Sequence, residues 1–382
     1  MKVLITDIHH GNGGGHVTYV LSLLREMAGR CQFTLAAPET GRLFREASRL
    51  SHVRVLPGLY TSRVFSAMPE IRNLRRFLKT ERFDIAHCNG GADHRHVMLA
   101  SLGLREAPAI VWTKHNTNKV DSFGHRMRAR FGTQSAIAVC EFVEQQLQQS
   151  GYARAPIAVV RNGIDTTYLQ PASATQRQEA RQAFFGDLPD NALVFGSIGG
   201  TDLNKGWLLL VEAVSLLPPE LRSRVRLLVA GDPPNQDMMA RVRELNMQDS
   251  VHFPGLVADV RRVLAASDVG FVLSYREAAS YASCETMAAG LPTLVSAAGG
   301  LPENVRDGQD GWVVPVGDVP ALHAYLQQLL AGRFCLETLG RNARSRVEQE
   351  FSLSKFAADT EIVYRRARAY RQGHRRVVSA PL

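Results

Sequence analysis

Short apolar runs alternate with amphipathic stretches from the first residue of the chain to about position 350, and this rhythm constrains the fold more than any other feature. Runs such as Ile85 to Cys88 and Val269 to Leu273 are brief and lack polar alternation, so each reads as a strand covered on both faces. The stretches between them carry a helical period. Together they call for an α/β fold in which parallel sheets are covered by helices on both sides. Strands are expected at Lys2 to Asp7, Phe33 to Ala37, Val53 to Leu56, Ile85 to Cys88, Ala109 to Thr113, Ile137 to Val139 and Ile157 to Val160. A second series is expected at Val194 to Ile198, Arg226 to Ala230, Val251 to Phe253, Val269 to Leu273, Thr293 to Ser296 and Trp312 to Val314. Its helices are expected at Trp207 to Leu217, Asp237 to Leu245, Val260 to Ala266, Cys284 to Ala289 and Pro320 to Leu330, with long closing helices at Leu336 to Phe351 and Leu353 to about Tyr370.

A chain of 382 residues exceeds the roughly 250–300 residues at which one core stops growing, so two lobes are expected. Between Asn162 and Asp190 the apolar period lapses into a segment rich in Thr, Pro, Gln and Arg. The boundary is placed there, giving a first domain over 1–168, rejoined by a C-terminal helix over 354–382, and a second over 169–353. Two tandem Rossmann-like, doubly wound domains bind ligands beyond the carboxyl ends of their strands, and the chemistry is expected in the cleft between them.

Four stretches carry chemistry. Gly11, Asn12, Gly13, Gly14, Gly15 and His16 separate the first strand from its helix, where glycines let backbone N–H groups approach an anion; a tight turn without ligand is the alternative. No dinucleotide fingerprint is complete here, since His16 stands where its last glycine would fall, which argues against an NAD enzyme. Thr113, Lys114, His115 and Asn116 follow a strand of the first lobe, although a lone histidine is more often structural. After Val194 to Ile198 come Gly199 through Gly206; Lys205 in this turn suits a diphosphate, but alone it could equally be a surface lysine. Most informative is Ser274 to Pro292, where Glu277 and Glu285 bracket a helix start near Ser283, with small residues Ala278, Ala279 and Ser280 between them. Their eight-residue separation is no surface i,i+4 pair. The acids can accept hydrogen bonds from sugar or ribose hydroxyls, and the intervening N–H groups can meet a phosphate.

The E-x7-E stretch, followed by Met287 to Pro292 and by Gly299, Gly300, Leu301, Pro302 and Glu303, resembles the retaining glycosyltransferases of family 4. The glycine loop, Arg161 to Asp165, Lys205–Gly206, the Asp307 to Gly311 turn and the Phe351 helix break extend the resemblance over essentially the full chain. It implies the GT-B fold, a final helix that crosses back to the first lobe, and sugar transfer from a nucleotide diphosphate with retention. Residue by residue it implies Glu277 on donor sugar hydroxyls, backbone of Ala279 and Ser280 on sugar or phosphate, Lys205 on the diphosphate and Glu285 on the ribose. It further implies Gly14 and Gly15 facing the diphosphate from the other lobe, His115 beside the reacting centre and Val257 at the base. Gly200 stands where the family usually carries an arginine, so half of the charge clamp is missing or comes from elsewhere, for instance Arg161 or Arg276.

No D-x-D pair suggests a divalent cation, and neither metal nor cofactor is expected beyond the nucleotide-sugar substrate. No carboxylate is placed as a covalent nucleophile, so retention would require front-face attack. A net charge of +9, with Arg365, Arg366, Arg368, Arg371, Arg375 and Arg376 near the C-terminus, reads either as a solvated helix face or as attraction to a polyanion. The expected partners are a nucleotide-sugar donor, a glycan or glycolipid acceptor in lipopolysaccharide core or other cell-envelope synthesis, and an anionic membrane surface, without nucleic acid. No apolar run approaches the ~20 residues that span a bilayer, and glycines interrupt any signal-peptide core, so a cytoplasmic site on the inner face of the membrane is expected. Cys31, Cys88, Cys140, Cys284 and Cys335 are scattered without metal or redox spacing. A sugar-nucleotide epimerase and a donor-binding protein with little transferase activity remain alternatives.

Overall fold

The computed structural model describes residues 1–11, 14–61 and 64–378. Asn12 and Gly13 of the glycine loop, and the side chains of Arg375 and Arg376, lie outside what is described. The chain divides into two compact units, Met1–Gly163 with Leu353–Leu382, and Ile164–Ser352.

In the first unit the strands are β1 (Lys2–Thr6), β2 (Gln32–Ala37), β3 (Val53–Pro57), β4 (Ile85–Cys88), β5 (Ala109–Lys114), β6 (Ser135–Ala138) and β7 (Ile157–Val159). They form one parallel sheet in the order β3-β2-β1-β4-β5-β6-β7. The second unit contributes β8 (Leu193–Ser197), β9 (Val225–Val229), β10 (Val251–His252), β11 (Val269–Val272), β12 (Thr293–Ser296) and β13 (Gly311–Val314). Its parallel sheet runs β10-β9-β8-β11-β12-β13. Every residue of β4, β5, β6, β11 and β12 is buried, which is why those strands read as unbroken apolar runs rather than alternating ones. In each sheet the order reverses between two central strands, β1 and β4 in the first, β8 and β11 in the second. Loops leaving neighbouring strands diverge there and open a crevice at the carboxyl end.

Three expectations about local structure are corrected. The polar lapse before Asp190 contains a helix, Ala174–Phe185, opened by a capping box in which Ser173 and Gln176 exchange side-chain and backbone hydrogen bonds. Few of its residues are apolar, so no hydrophobic period betrays it. It is held on the second unit by Arg177 and Arg181, both paired with Asp268, and by Ala180 packed among Val194, Leu228 and Val263. The units also divide before Ile164 rather than after 168, because the Ile164 N–H bonds the Phe351 carbonyl at 2.7 Å and pairs with Ser352, tying this segment to the second unit. Finally, the helix expected near Ser283 begins at Tyr281, since the Ser280 hydroxyl caps it by accepting from the Ser283 N–H at 3.3 Å.

The last helix, Leu353–Val378, runs past Tyr370 and belongs to the first unit. Tyr364 is fully buried with its hydroxyl 2.7 Å from His87 Nδ1, and Phe356 lies edge-on to Tyr19 at 4.9 Å. No described helix is long and apolar enough to cross a membrane.

Candidate functional site

Both reversal points carry polar side chains. In the second unit, Asp202 caps the short turn Leu203–Lys205 by accepting from the Asn204 N–H at 3.1 Å. Gly206 follows with φ 64°, and a Cβ there would stand 2.0 Å from the Leu273 carbonyl oxygen at the end of β11. Only glycine allows that approach. The turn is thereby pressed against the β11 loop: the Tyr275 N–H bonds the Asn204 carbonyl at 2.8 Å, and Asn204 Nδ2 donates to the Arg276 carbonyl at 3.0 Å. Lys205 Nζ consequently meets Glu277 Oε2 at 3.0 Å, and the Ser274 hydroxyl reaches the same oxygen at 3.4 Å. The expected diphosphate ligand and the expected sugar ligand form one ion pair.

Glu285 lies one turn inside helix Tyr281–Ala288. Burial alone pushes its carboxyl up to about 7, and no cation or hydrogen-bond donor is paired with it among the described residues. A second buried support was not legible beforehand: Asn304 Nδ2 donates to the Ser283 hydroxyl at 2.9 Å, which donates to the Ser280 carbonyl at 3.1 Å. These bonds fix the helix start carrying Ala279 and Ser280. Ser280 is buried and its hydroxyl is spent on the cap, so its side chain is not offered to a ligand.

Beside this pair lies a cavity of about 580 Å³, bounded by Gly199 to Leu203 after β8, Ala230 to Asn235 after β9, and Leu256 and Val257 after β10. Its floor is two glycines in contact: a Cβ on Gly231 would fall 2.7 Å from Gly200 Cα. Val257 lines the cavity, whereas Lys205, Glu277, Ala279, Ser280 and Glu285 stand outside its lining. Gly200 has φ 95°, a left-handed backbone that disfavours the family's arginine. Of the stand-ins considered, Arg161 is paired with Glu141 at 2.9 Å, while Arg276 is exposed on the loop carrying Glu277.

The first unit assembles histidines where β1 and β4 part. Asn89, after β4, donates from Nδ2 to the Thr6 carbonyl at 3.1 Å, which turns its Oδ1 toward His115 Nε2 at 3.0 Å. His115 therefore carries its proton on Nε2 and leaves Nδ1 as an acceptor. Burial, then the neighbouring His16, His87 and His9, hold it well below 6.5, so the ring is neutral. Tilted rings follow one another outward from it, His115 to His16 at 4.3 Å and His16 to His9 at 4.0 Å, with Tyr19 edge-on to His115 at 4.6 Å. His9 Nδ1 bonds the fully buried Asp7 at 2.7 Å, and that bond raises the His9 pKa. Gly14, φ 105°, precedes helix Gly15–Glu26 with no side-chain cap, so no side chain occupies the first N–H groups of that helix, of which that of Val17 bonds the Gly14 carbonyl at 3.2 Å. Asp7, His9, His16 and Asn89 were not singled out from sequence; the available signal was that Asp7, His9 and Asn89 lie just past a strand's carboxyl end and His16 in the helix turn that follows the glycine loop.

Two parallel doubly wound units, each with charged or histidine side chains at its reversal point, define an α/β protein of the GT-B class. Family comparison narrows this. Residues 178–346 match the family described as glycosyl transferases group 1, and residues 13–168 match glycosyltransferase family 4. The chain belongs to these glycosyltransferases. It is 30% identical over 155 residues to N-acetyl-alpha-D-glucosaminyl L-malate synthase of Bacillus anthracis, covering 41% of this chain and 40% of that protein. Against MMP alpha-(1->4)-mannosyltransferase of Mycolicibacterium hassiacum the identity is 32% over 214 residues, covering 55% and 48%. The match thus spans less than half the length of either relative. Among solved structures, a glycosyltransferase from Rickettsia africae superposes with TM-score 0.83 at 18% identity, covering 96% of this chain and 98% of that one. HepE of Anabaena in complex with UDP gives 0.79 at 19%, covering 95% and 99%. WaaG, a glycosyltransferase involved in lipopolysaccharide biosynthesis, gives 0.71 at 18%, covering 94% and 99%. At these identities the likeness establishes the fold.

Proposed function

We propose that the chain moves a sugar from a nucleotide-diphosphate donor to a glycan or glycolipid acceptor, with retention at the anomeric carbon. The observation that carries this reading is the Lys205–Glu277 pair at the β8/β11 reversal, beside a cavity floored by Gly200 and Gly231. The cavity takes the nucleoside, with the Val257 backbone at the base and Glu285 accepting from ribose hydroxyls. Lys205 turns from Glu277 to the diphosphate, Glu277 then accepts from hydroxyls of the sugar, and the Ala279 and Ser280 N–H groups donate to sugar or phosphate oxygens. The UDP in the Anabaena relative supports a nucleotide donor.

In the reaction the bond between the anomeric carbon and the phosphate oxygen breaks. The acceptor oxygen bonds to that carbon on the same face, and its proton passes to the departing phosphate. Lys205 and backbone N–H groups stabilise the charge that develops, without a metal on the diphosphate. In the first unit, the Gly14 and Gly15 N–H groups donate to substrate oxygens, and neutral His115 Nδ1 accepts from a substrate hydroxyl. The likeness to WaaG favours a cell-envelope acceptor. On the last helix Arg365 is paired with Glu361 and Arg368 with Asp84, which reduces the charge it can offer to an anionic membrane surface.

Incubation with UDP-, GDP- and ADP-sugars and lipid-linked or core oligosaccharide acceptors tests the proposal. Release of nucleoside diphosphate that depends on acceptor, with an α-linked product from an α-donor by NMR, is expected. Donor conversion without acceptor would indicate an epimerase, and donor binding without diphosphate release would end the transferase reading.

A further inference from the structure

We propose that Asp7, His9 and His16 form a binding site for one divalent transition-metal ion in the first unit. One potential donor atom of each residue lies within 4.8 Å of those of the other two. Two of these side chains present buried atoms with nothing to bind: Asp7 Oδ2 and His16 Nδ1 have no hydrogen-bond partner. Asp7 is 0% exposed, and its side-chain contacts among the described residues are the His9 N–H at 2.8 Å and His9 Nδ1 at 2.7 Å, both on Oδ1. A carboxylate oxygen and an imidazole nitrogen, both buried and bare within one cluster of potential ligands, are unfavourable unless something cationic joins them.

Two imidazoles and one carboxylate suit zinc and its first-row neighbours, and three protein ligands leave a coordination position for water or another oxygen. Ligands about 2.0–2.1 Å from a tetrahedral ion stand roughly 3.3 Å apart, so the His9–Asp7 contact opens slightly as the ion replaces the proton between them. That proton leaves to solvent, and affinity therefore falls on acidification.

The donors come from two places, the exit of β1 and the first turn of helix Gly15–Glu26, so the ion would tie the ends of the glycine loop together. It would also hold His16 against His115, whose ring lies 4.3 Å away. The site belongs to the first unit alone and leaves the metal-free stabilisation of the diphosphate by Lys205 untouched.

The test uses the full chain carrying Cys335→Ser, since Cys335 is its exposed thiol. Stripped of metal, it is titrated with Co²⁺, followed by visible absorption, and with Zn²⁺, followed by calorimetry and thermal unfolding. One equivalent bound, a d–d band of low-symmetry cobalt and a raised unfolding midpoint are expected. Asp7→Asn and His16→Ala should weaken binding at least tenfold, and His10→Ala, in the same loop but outside the cluster, should not. His16→Ala removes no hydrogen bond to Nδ1 from the metal-free protein, so it carries the test if Asp7→Asn fails to fold. No saturable equivalent, or affinity unchanged in His16→Ala, overturns the proposal.

Discussion

Lys205 Nζ and Glu277 Oε2 face each other at 3.0 Å across the reversal point of the second sheet, brought together by the contact of Gly206 with Leu273. The pair keeps two ligand-directed groups mutually satisfied, and either can exchange its partner for a substrate atom. The pair is partly buried, its side chains 26% and 17% exposed, yet still reached by water, and it contributes on the order of 1 kcal/mol to stability.

Lys205→Ala should accordingly separate function from stability. The thermal midpoint is expected to stay close to that of the parent protein, while kcat for diphosphate release falls on the order of 10²–10³-fold, as when one preorganised donor to a developing anion is removed. Near-normal turnover would remove Lys205 from the diphosphate.

Gly206→Ala should do the reverse and damage both. The new Cβ collides with the Leu273 carbonyl and the left-handed φ is strained besides, together about 1–3 kcal/mol or more. Urea unfolding should show the loss, and turnover should drop because the turn carrying Lys205 moves away from Glu277.

Gly200→Arg restores the family's second cation at a strained position. An added Cβ meets only Asp202 Oδ2, at 3.9 Å, so the variant should fold with a loss of about 1–2 kcal/mol from its φ of 95°. Calorimetry should show tighter binding of the nucleotide-sugar donor. Unchanged affinity would mean that the diphosphate needs no second cation here.

Glu285 makes stability depend on pH. Its folded pKa of about 7 lies above the unfolded 4.5, so the native state holds the extra proton between these values. The contribution is present in full below about 4.5 and is lost as pH rises through about 7. Glu285→Gln should flatten the fall in unfolding free energy across this window, measured by urea unfolding at a series of pH values. A parallel pH dependence in parent and variant would assign the effect to another group.

Much of this protein was legible before any coordinates. Buried parallel strands need apolar runs, so all thirteen strands described in the two sheets could be found, and the glycine turns and E-x7-E spacing marked where ligands are expected. Helix Ala174–Phe185 escaped notice because arginine pairs with Asp268, rather than an apolar stripe, hold it in place. Only the tertiary structure could pair Lys205 with Glu277, 72 positions apart, or set Asn89 against His115 so that its free nitrogen is Nδ1. Local sequence encodes backbone preference and burial within a few residues. The partner of a polar side chain is decided by which strands become neighbours at a reversal of sheet order, and that order is a property of the folded chain.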